Sequence, residues 1–517
     1  MISKAALWTR RMALTFAVGA GVTMPNELLA QTAKANATRS GSVNADSARA
    51  GVAKTDSSRY DAWGQPKNLG LAVGEALLAD FVPWVVNELV PSRASLKISQ
   101  ISPRSWWHNT EEGYFWDDNS FMINHFAHPY QGSMYYNAAR SNAFGYWTGL
   151  LFATLGSYHW ECCGETHLMS VNDWINTSIG GAAFGEVLHR TSSMVLDNEA
   201  RGRERFWREL GALVLNPARG FTRLLTGNAK RVYANPVNPN DYLPDELESV
   251  FALGVRVPST KREGQGGTLS EDYPSHAYMN LRLFSGSLAK LDRGTPFDYF
   301  SLLGQFNFVT GRPLGEIEIR GNWWHRDLGR GERTVSKLVL MQEFQYENTG
   351  AYEQGGPTLG LMYYRHRDLS PRSEFAWNAS GKAVLLGGVK SELAFLADVQ
   401  GVRERFREYD FGIGPGIGLG LEWLRNGRRL IDAAYNMSYL TTLNGSEVEG
   451  QGSTHFLQQL RTRAILPLTK SGFGVGVDYA LYIRRSQFDI AEIGLVRQQT
   501  SQWQFHVNWD LARRERR

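Results

Sequence analysis

Cysteine is nearly absent from this chain: two residues in 517, side by side at Cys162 and Cys163. A disulfide scaffold needs partners spread along the sequence, and a thiolate metal centre needs more sulfur, so both are excluded. Because bonding two neighbours strains the linkage, the pair is expected as two small, half-buried thiols. Long apolar runs are missing too. Beyond the first thirty residues no segment offers the roughly 20 consecutive apolar residues of a membrane-crossing helix, which excludes a helical membrane protein. Net charge is only +4, too little to argue for a nucleic-acid partner. No Gly-x-Ser-x-Gly elbow, P-loop or Cys-x-x-Cys pair occurs.

What is abundant is glycine and aromatics: 53 Gly with 16 Trp, 21 Tyr and 25 Phe. Mean hydropathy is −0.33, which is silent about membranes crossed by strands, since a barrel strand exposes only every second residue to lipid. The chain opens with Lys4, Arg10 and Arg11, an apolar stretch from Met12 to Val22, and Leu28-Leu29-Ala30 before Gln31. That is the grammar of a secretory signal peptide cut after Ala30. Residues 31–60, rich in Ala, Ser, Thr and Asn, cannot repay the entropy of ordering and read as a disordered tether.

From about residue 275 apolar side chains recur at every second position between turns rich in Gly, Asn, Asp and Pro, which is strand and hairpin grammar. Phe473, Val475, Val477, Tyr479, Leu481 and Ile483 alternate with Gly474, Gly476, Asp478, Ala480, Tyr482 and Arg484. One face suits lipid and the other water. Asn426-Gly427 marks a type I′ hairpin between alternating segments 411–424 and 429–441. The face of Gly412, Gly414, Gly416, Gly418 and Gly420 is bare, so something packs close to it or the wall bends there. About twelve such segments, the first at 276–286 and with 372–379 counted apart from 382–397, within a range of ten to fourteen, predict a transmembrane antiparallel β-barrel over residues 275–512. Charges such as Glu318, Arg320, Asp432, Arg461, Arg463 and Arg484 then line a hydrated interior, and lumen-facing His455 and His506 read as polar lining.

The first half reads differently. Helical spacing over 69–90, 138–160, 171–196 and 201–225 predicts a helical domain from 61 to 235, joined to the barrel by a linker over 236–274 that contains Pro236, Pro239 and Pro244. Glu75, Asp80 and Glu88 forbid the first helix from spanning lipid. The run Ser178, Gly180, Gly181, Ala182, Ala183 and Gly185 lets another backbone come close. The fold class is thus α+β, a mainly helical N-terminal domain followed by the barrel.

Between Trp106 and Arg190 titratable groups crowd among aromatics: Trp116-Asp117-Asp118-Asn119, Phe121, Asn124, His125, His128-Pro129-Tyr130, Gly132, Tyr135-Tyr136, Ala139-Arg140, Trp160-Glu161, Glu165, Asp173, Gly185-Glu186 and Arg190. This string resembles the signature of the bacterial family known as domain of unknown function 3943, over roughly residues 69–225. The resemblance implies a cell-envelope protein and no reaction.

Taken by themselves, His125 and His128, Glu161 and Glu165, and Glu186 and His189 are spaced to share helix faces. Glu186-x-x-His189 is like half of a di-iron carboxylate site, of which only one copy is present. Candidate metal ligands are His125, His128, Glu161, Glu165 and Glu186. Candidate catalytic groups are His128, Glu161, Glu165, Glu186, Arg190, Asp117 and Arg140. No cofactor can be named. The competing account is a self-satisfied polar network, with Glu186 on Arg190 and Asp117 on Arg140.

Three functions follow: a non-enzymatic or plugged-barrel envelope protein, an envelope lipid- or glycan-modifying enzyme using the helical His/Glu groups, or a small-solute channel. The expected surroundings are outer-membrane lipid and envelope proteins rather than nucleic acid, with the helical domain in the periplasm or inside the barrel.

Overall fold

A computed structural model describes residues 61, 63–89, 100–117, 119–236, 244–264, 267–271, 273–292, 294–309, 311–350, 352–391, 409–443, 452–491 and 493–514. The expected leader and tether, 1–30 and 31–60, lie outside the described residues, as does Asp118.

The helical half comprises α1 (Leu69–Leu89), α2 (Pro103–Glu112), α3 (His128–Ser141), α4 (Tyr146–His159), α5 (Val171–Ile175), α6 (Gly181–Val195), α7 (Gly202–Leu215) and α8 (Pro217–Leu225). The small-residue run does what its composition predicts. A Cβ on Gly132 of α3 would lie 1.9 Å from the Thr177 carbonyl oxygen, and one on Gly181 would lie 2.7 Å from the Gly132 backbone, so α3 and the start of α6 cross backbone to backbone.

Twelve strands close into an antiparallel barrel: β1 (Leu247–Gly264), β2 (in two pieces, Gly267–Glu271 and His276–Ser285), β3 (Phe300–Asn307), β4 (Leu314–Arg330), β5 (Thr334–Asn348), β6 (Glu353–Ser370), β7 (Ser373–Lys390), β8 (Tyr409–Arg425), β9 (Arg428–Thr442), β10 (Ser453–Pro467), β11 (Phe473–Phe488) and β12 (Leu495–Arg514). Closure comes from β12 pairing with β1, Leu247 opposite Arg514 and Val255 opposite Phe505. Asn426 and Gly427 form the predicted turn with φ of 51° and 68°.

The expected start at 275 was late. β1 precedes it, where Phe251, Leu253, Val255 and Val257 alternate with Ala252, Gly254 and Arg256 up to Pro258. Conversely, the expected break near Ser380-Gly381 is absent, and both halves belong to β7. The two errors cancel in the strand count.

Register fixes which face looks inward. Arg461 of β10 reaches Glu316 and Glu318 of β4 and Glu347 of β5, and Arg429 of β9 reaches Glu248 of β1. Strands so far apart around the ring meet only through the bore, so this charged face is the lumen. The bare stripe of β8 is part of it: a Cβ on Gly418 would meet Lys382 Cε at 2.7 Å and one on Gly420 would meet Asn378 at 2.5 Å. Neighbouring strands' own long side chains lie across it.

The helices touch the opposite face. Ile317 and Ile319 pair with Tyr346 and Phe344, one residue out of phase with the lumen glutamates, and these four pack in one buried cluster with Phe121, Phe126, Tyr146 and Phe184. Exposed Leu361 stands on the same face of the wall. The helical residues of this cluster therefore pack against the wall face opposite the lumen charges.

Candidate functional site

A two-residue parallel bridge, Tyr114 opposite Met169 and Phe115 opposite Ser170, brings the start of the polar string beside the start of α5. Ser170 caps that helix, its hydroxyl accepting from the Asp173 amide at 3.3 Å. Asn172 ties the two segments together: its Oδ1 accepts from the Asp117 amide and from the Ser170 hydroxyl, both at 2.9 Å, and its Nδ2 donates to Asp173 Oδ1 at 3.0 Å. His128 enters from the first turn of α3, Nε2 lying 3.6 Å from Asp173 Oδ1.

The result is a knot in which one donor atom each from Asp117, His128 and Asp173 lies within 4.8 Å of the others. Glu161 and Glu165 adjoin it. Glu161 is 1% exposed; one carboxylate oxygen accepts from the Ser170 amide at 2.8 Å, and the other has no hydrogen-bond partner. Burial pushes the carboxyls of Asp117 and Asp173 up to about 7. Burial and then the neighbouring acids raise Glu161 and Glu165 as well. The strongest charge influences on these four acids are one another and His128; no arginine or lysine is among them. Of this group Asp117, His128 and Asp173 are the three whose donor atoms lie close enough together to ligate one divalent ion.

The remaining candidates stand elsewhere. Glu186, fully buried, is held by Arg140 Nε at 2.8 Å, Arg190 Nε at 2.8 Å and the Tyr136 hydroxyl at 2.7 Å. The two guanidinium groups, outweighing burial, lower its carboxyl. Its oxygens are taken, and Arg190 also binds the Pro296 carbonyl at the barrel edge at 2.8 Å. Glu186 and Arg190 pair as the four-residue spacing predicts, whereas Asp117 does not meet Arg140, because Glu186 has claimed it. His125 is a packing residue: its ring stacks on Phe121 at 4.3 Å and on Phe411 of β8 at 5.4 Å, neither nitrogen is hydrogen-bonded, and a Cβ on Gly388 would strike Nε2 at 2.2 Å.

Asp173 was in the polar string but was not singled out as a ligand. Its signal was Ser170-x-x-Asp173, a capping pattern that brings a carboxylate to a helix start. Cys162 and Cys163, expected as thiols, are bonded to each other.

Two further groups lie on the barrel. His366 binds Asp368 at 2.9 Å with Glu374 at 3.9 Å, at a half-exposed hairpin end where a surface ion pair accounts for it. In the lumen His455 contacts Asp410 at 2.9 Å, Ser453 at 3.0 Å and Ser486 at 2.8 Å. Histidine and acid are both 0% exposed, so these four residues stand as polar lining.

Residues 113–218 match the family model described as Domain of unknown function (DUF3943), so the resemblance read from the sequence holds over the segment that carries the knot. No curated protein matches the chain. Among solved structures, an outer membrane channel from Pseudomonas putida F1 is 10% identical, with 53% of this chain covering 100% of that one at a TM-score of 0.26. The Pseudomonas putida toluene transporter TodX is 8% identical, coverage 53% and 92%, TM-score 0.21. A Pseudomonas aeruginosa FadL homologue is 7% identical, coverage 54% and 95%, TM-score 0.21. Likeness at this level concerns the barrel alone. The chain is a closed twelve-stranded antiparallel β-barrel protein with a helical N-terminal region.

Proposed function

We propose that this exported protein, led out by the signal peptide of residues 1–30, uses its barrel as an anchor and its helical bundle as the working part. In this reading Asp117, His128 and Asp173 hold a divalent cation, with Glu161 and Glu165 alongside, for chemistry on an envelope lipid or glycan. One observation carries the reading: four buried acids are grouped here with no arginine or lysine among the charges acting on them, whereas the buried acids Glu186, Glu316, Glu347 and Asp478 each meet an arginine. A cation there would polarise a bound carbonyl or phosphoryl oxygen or acidify a bound water. The residues themselves would position it, and the uncommitted oxygen of Glu161 is suited to move a proton.

A small-solute channel fits the geometry less well. The Arg461 side chain spans the bore to three glutamates, and Lys382 joins Glu343 at 2.6 Å to Asn436 at 2.8 Å.

The test is metal binding by the full chain in detergent, stripped with chelator and titrated with Mn²⁺ or Zn²⁺. One ion per chain is expected. Asp173→Asn and His128→Ala should each weaken binding at least about tenfold, the lower bound for losing even a group that only supports a ligand. Glu186→Gln, outside the cluster, should bind as the parent does. No binding, or equal binding by all three variants, overturns the reading.

A further inference from the structure

The helical bundle is built inside out for water. In α1 the buried positions include Glu75 at 7% and Asp80 at 8% exposure, while Leu69, Val73, Leu77 and Phe81, four residues apart along one ridge, are 44–59% exposed. A water-facing helix would reverse this arrangement. The buried acids find partners inside: Glu75 Oε2 accepts from Asn142 Nδ2 at 2.8 Å and Thr222 Oγ1 at 2.9 Å, and Asp80 meets His159 Nδ1 at 2.6 Å. The sequence took these acids, with Glu88, as forbidding a lipid-spanning helix and left open which way they face. They face the bundle interior.

α4 repeats the inversion. Its inner face is small and polar, Gly149, Ala153 and Ser157, and its outer face carries Trp147, Leu151 and Leu155 at 53–56% exposure. It has no Asp, Glu, Lys or Arg along its length. No helix of the described residues is long and apolar enough to cross a membrane, so each would lie against lipid with one side only. Polar residues turned to the bundle interior and apolar ones outward are the arrangement of proteins solvated by hydrocarbon.

The position of the bundle says what covers this surface. Its contacts on β4 run from Leu314 through Ile317 and Ile319 to Trp323, ten residues, about the length a tilted strand needs to cross a bilayer. The apolar side of α4 then continues into the wall: Trp147 packs edge-on against Trp323 at 5.1 Å, next to Trp324, which is 46% exposed on the barrel surface. Bundle stripe and barrel belt form one apolar surface.

We infer that the helical bundle is immersed beside the barrel, and that the exposed faces of α1 and α4 are covered by the acyl chains of the membrane. This assigns an annular lipid surface to the helices, in place of the periplasmic or in-barrel setting that the sequence suggested. It stands whether or not the acid knot binds a cation.

The test uses the full chain in vesicles of phosphatidylethanolamine and phosphatidylglycerol, with a nitroxide label at Leu151→Cys or, as a second position, Leu155→Cys. Leu253→Cys on the barrel belt and Glu112→Cys on exposed α2 serve as references. Because oxygen partitions into hydrocarbon while a polar nickel chelate stays in water, the ratio of oxygen to nickel accessibility at 151 and 155 should match that at 253. It should exceed that at 112 by about tenfold. Ratios like that at 112 would place α4 in water and overturn the inference. Exclusion of both reagents would mean protein covers the face, a second copy or another chain, and would overturn it equally.

Discussion

Two buried acid groups lie in the same small bundle and are treated in opposite ways. Glu186 sits between Arg140 and Arg190, with Tyr136 completing its shell. Asp117, Asp173, Glu161 and Glu165 have among them one histidine and a set of amides and hydroxyls. A fold can keep an ionised carboxylate out of water by supplying its counter-charge permanently, or it can leave that counter-charge to a ligand. The first arrangement is a fastening, and Arg190 extends it to the barrel edge. The second costs stability in isolation, which is why it marks a site.

The comparison breaks most visibly at Glu186. Glu186→Ala leaves two partly buried guanidinium groups without their carboxylate, which costs about 3–5 kcal/mol. Urea unfolding in detergent, followed by tryptophan fluorescence, should show the loss, together with weakened docking because Arg190 spans the seam. A variant as stable as the parent would mean that water already compensates the arginines, and the contrast between the two groups would fall.

The lumen extends the fastened side of the comparison. Arg461→Ala strips one cation from Glu316, Glu318 and Glu347, of which Glu318 retains Arg320 at 2.6 Å. The cost is expected at about 1–3 kcal/mol, that of leaving buried acceptors unmet, and the bore is relieved of its longest cross-strut. Planar-bilayer recordings should show a larger conductance than the parent chain gives. Equal and already open conductance in both would favour the channel reading over a barrel that serves as anchor.

How far these features could be read from sequence depended on what each residue pattern encodes. Period two identified barrel strands because alternation is tied to the pleat, and Asn426-Gly427 located a hairpin because few other pairs tolerate two positive φ angles. β1 escaped because Pro236, Pro239 and Pro244 just before it made the whole of 236–274 read as a linker. The four-residue interval between Glu186 and Arg190 predicted their pairing, since both sit on one helix. The knot was only half visible: His128, Glu161, Glu165 and Asp117 were singled out, yet Asp173 joins them through a two-residue bridge between segments more than fifty residues apart, which no local spacing announces. The inversion of α1 was invisible for a different reason. A 3.6-residue period says which side chains share a face and is silent on whether that face looks at water, protein or lipid.

The smallest effect is the most discriminating. Asp173→Asn removes one negative charge from the knot, while the new amide oxygen can still accept from Asn172 Nδ2 and the backbone amide can still reach the Ser170 hydroxyl. If the acids merely held the bundle together, the change would destabilise it as Glu186→Ala does. If they are a site kept in repulsion for a ligand, the chelator-treated variant should be as stable as the parent or more so, by up to about 1 kcal/mol, the worth of one relieved like-charge contact of this kind. Adding Mn²⁺ should then stabilise the parent and leave the variant nearly unmoved, since a ligand stabilises the folded chain only where it binds. Loss of stability in chelator would move Asp173 to the fastened class and remove the contrast between the two acid groups.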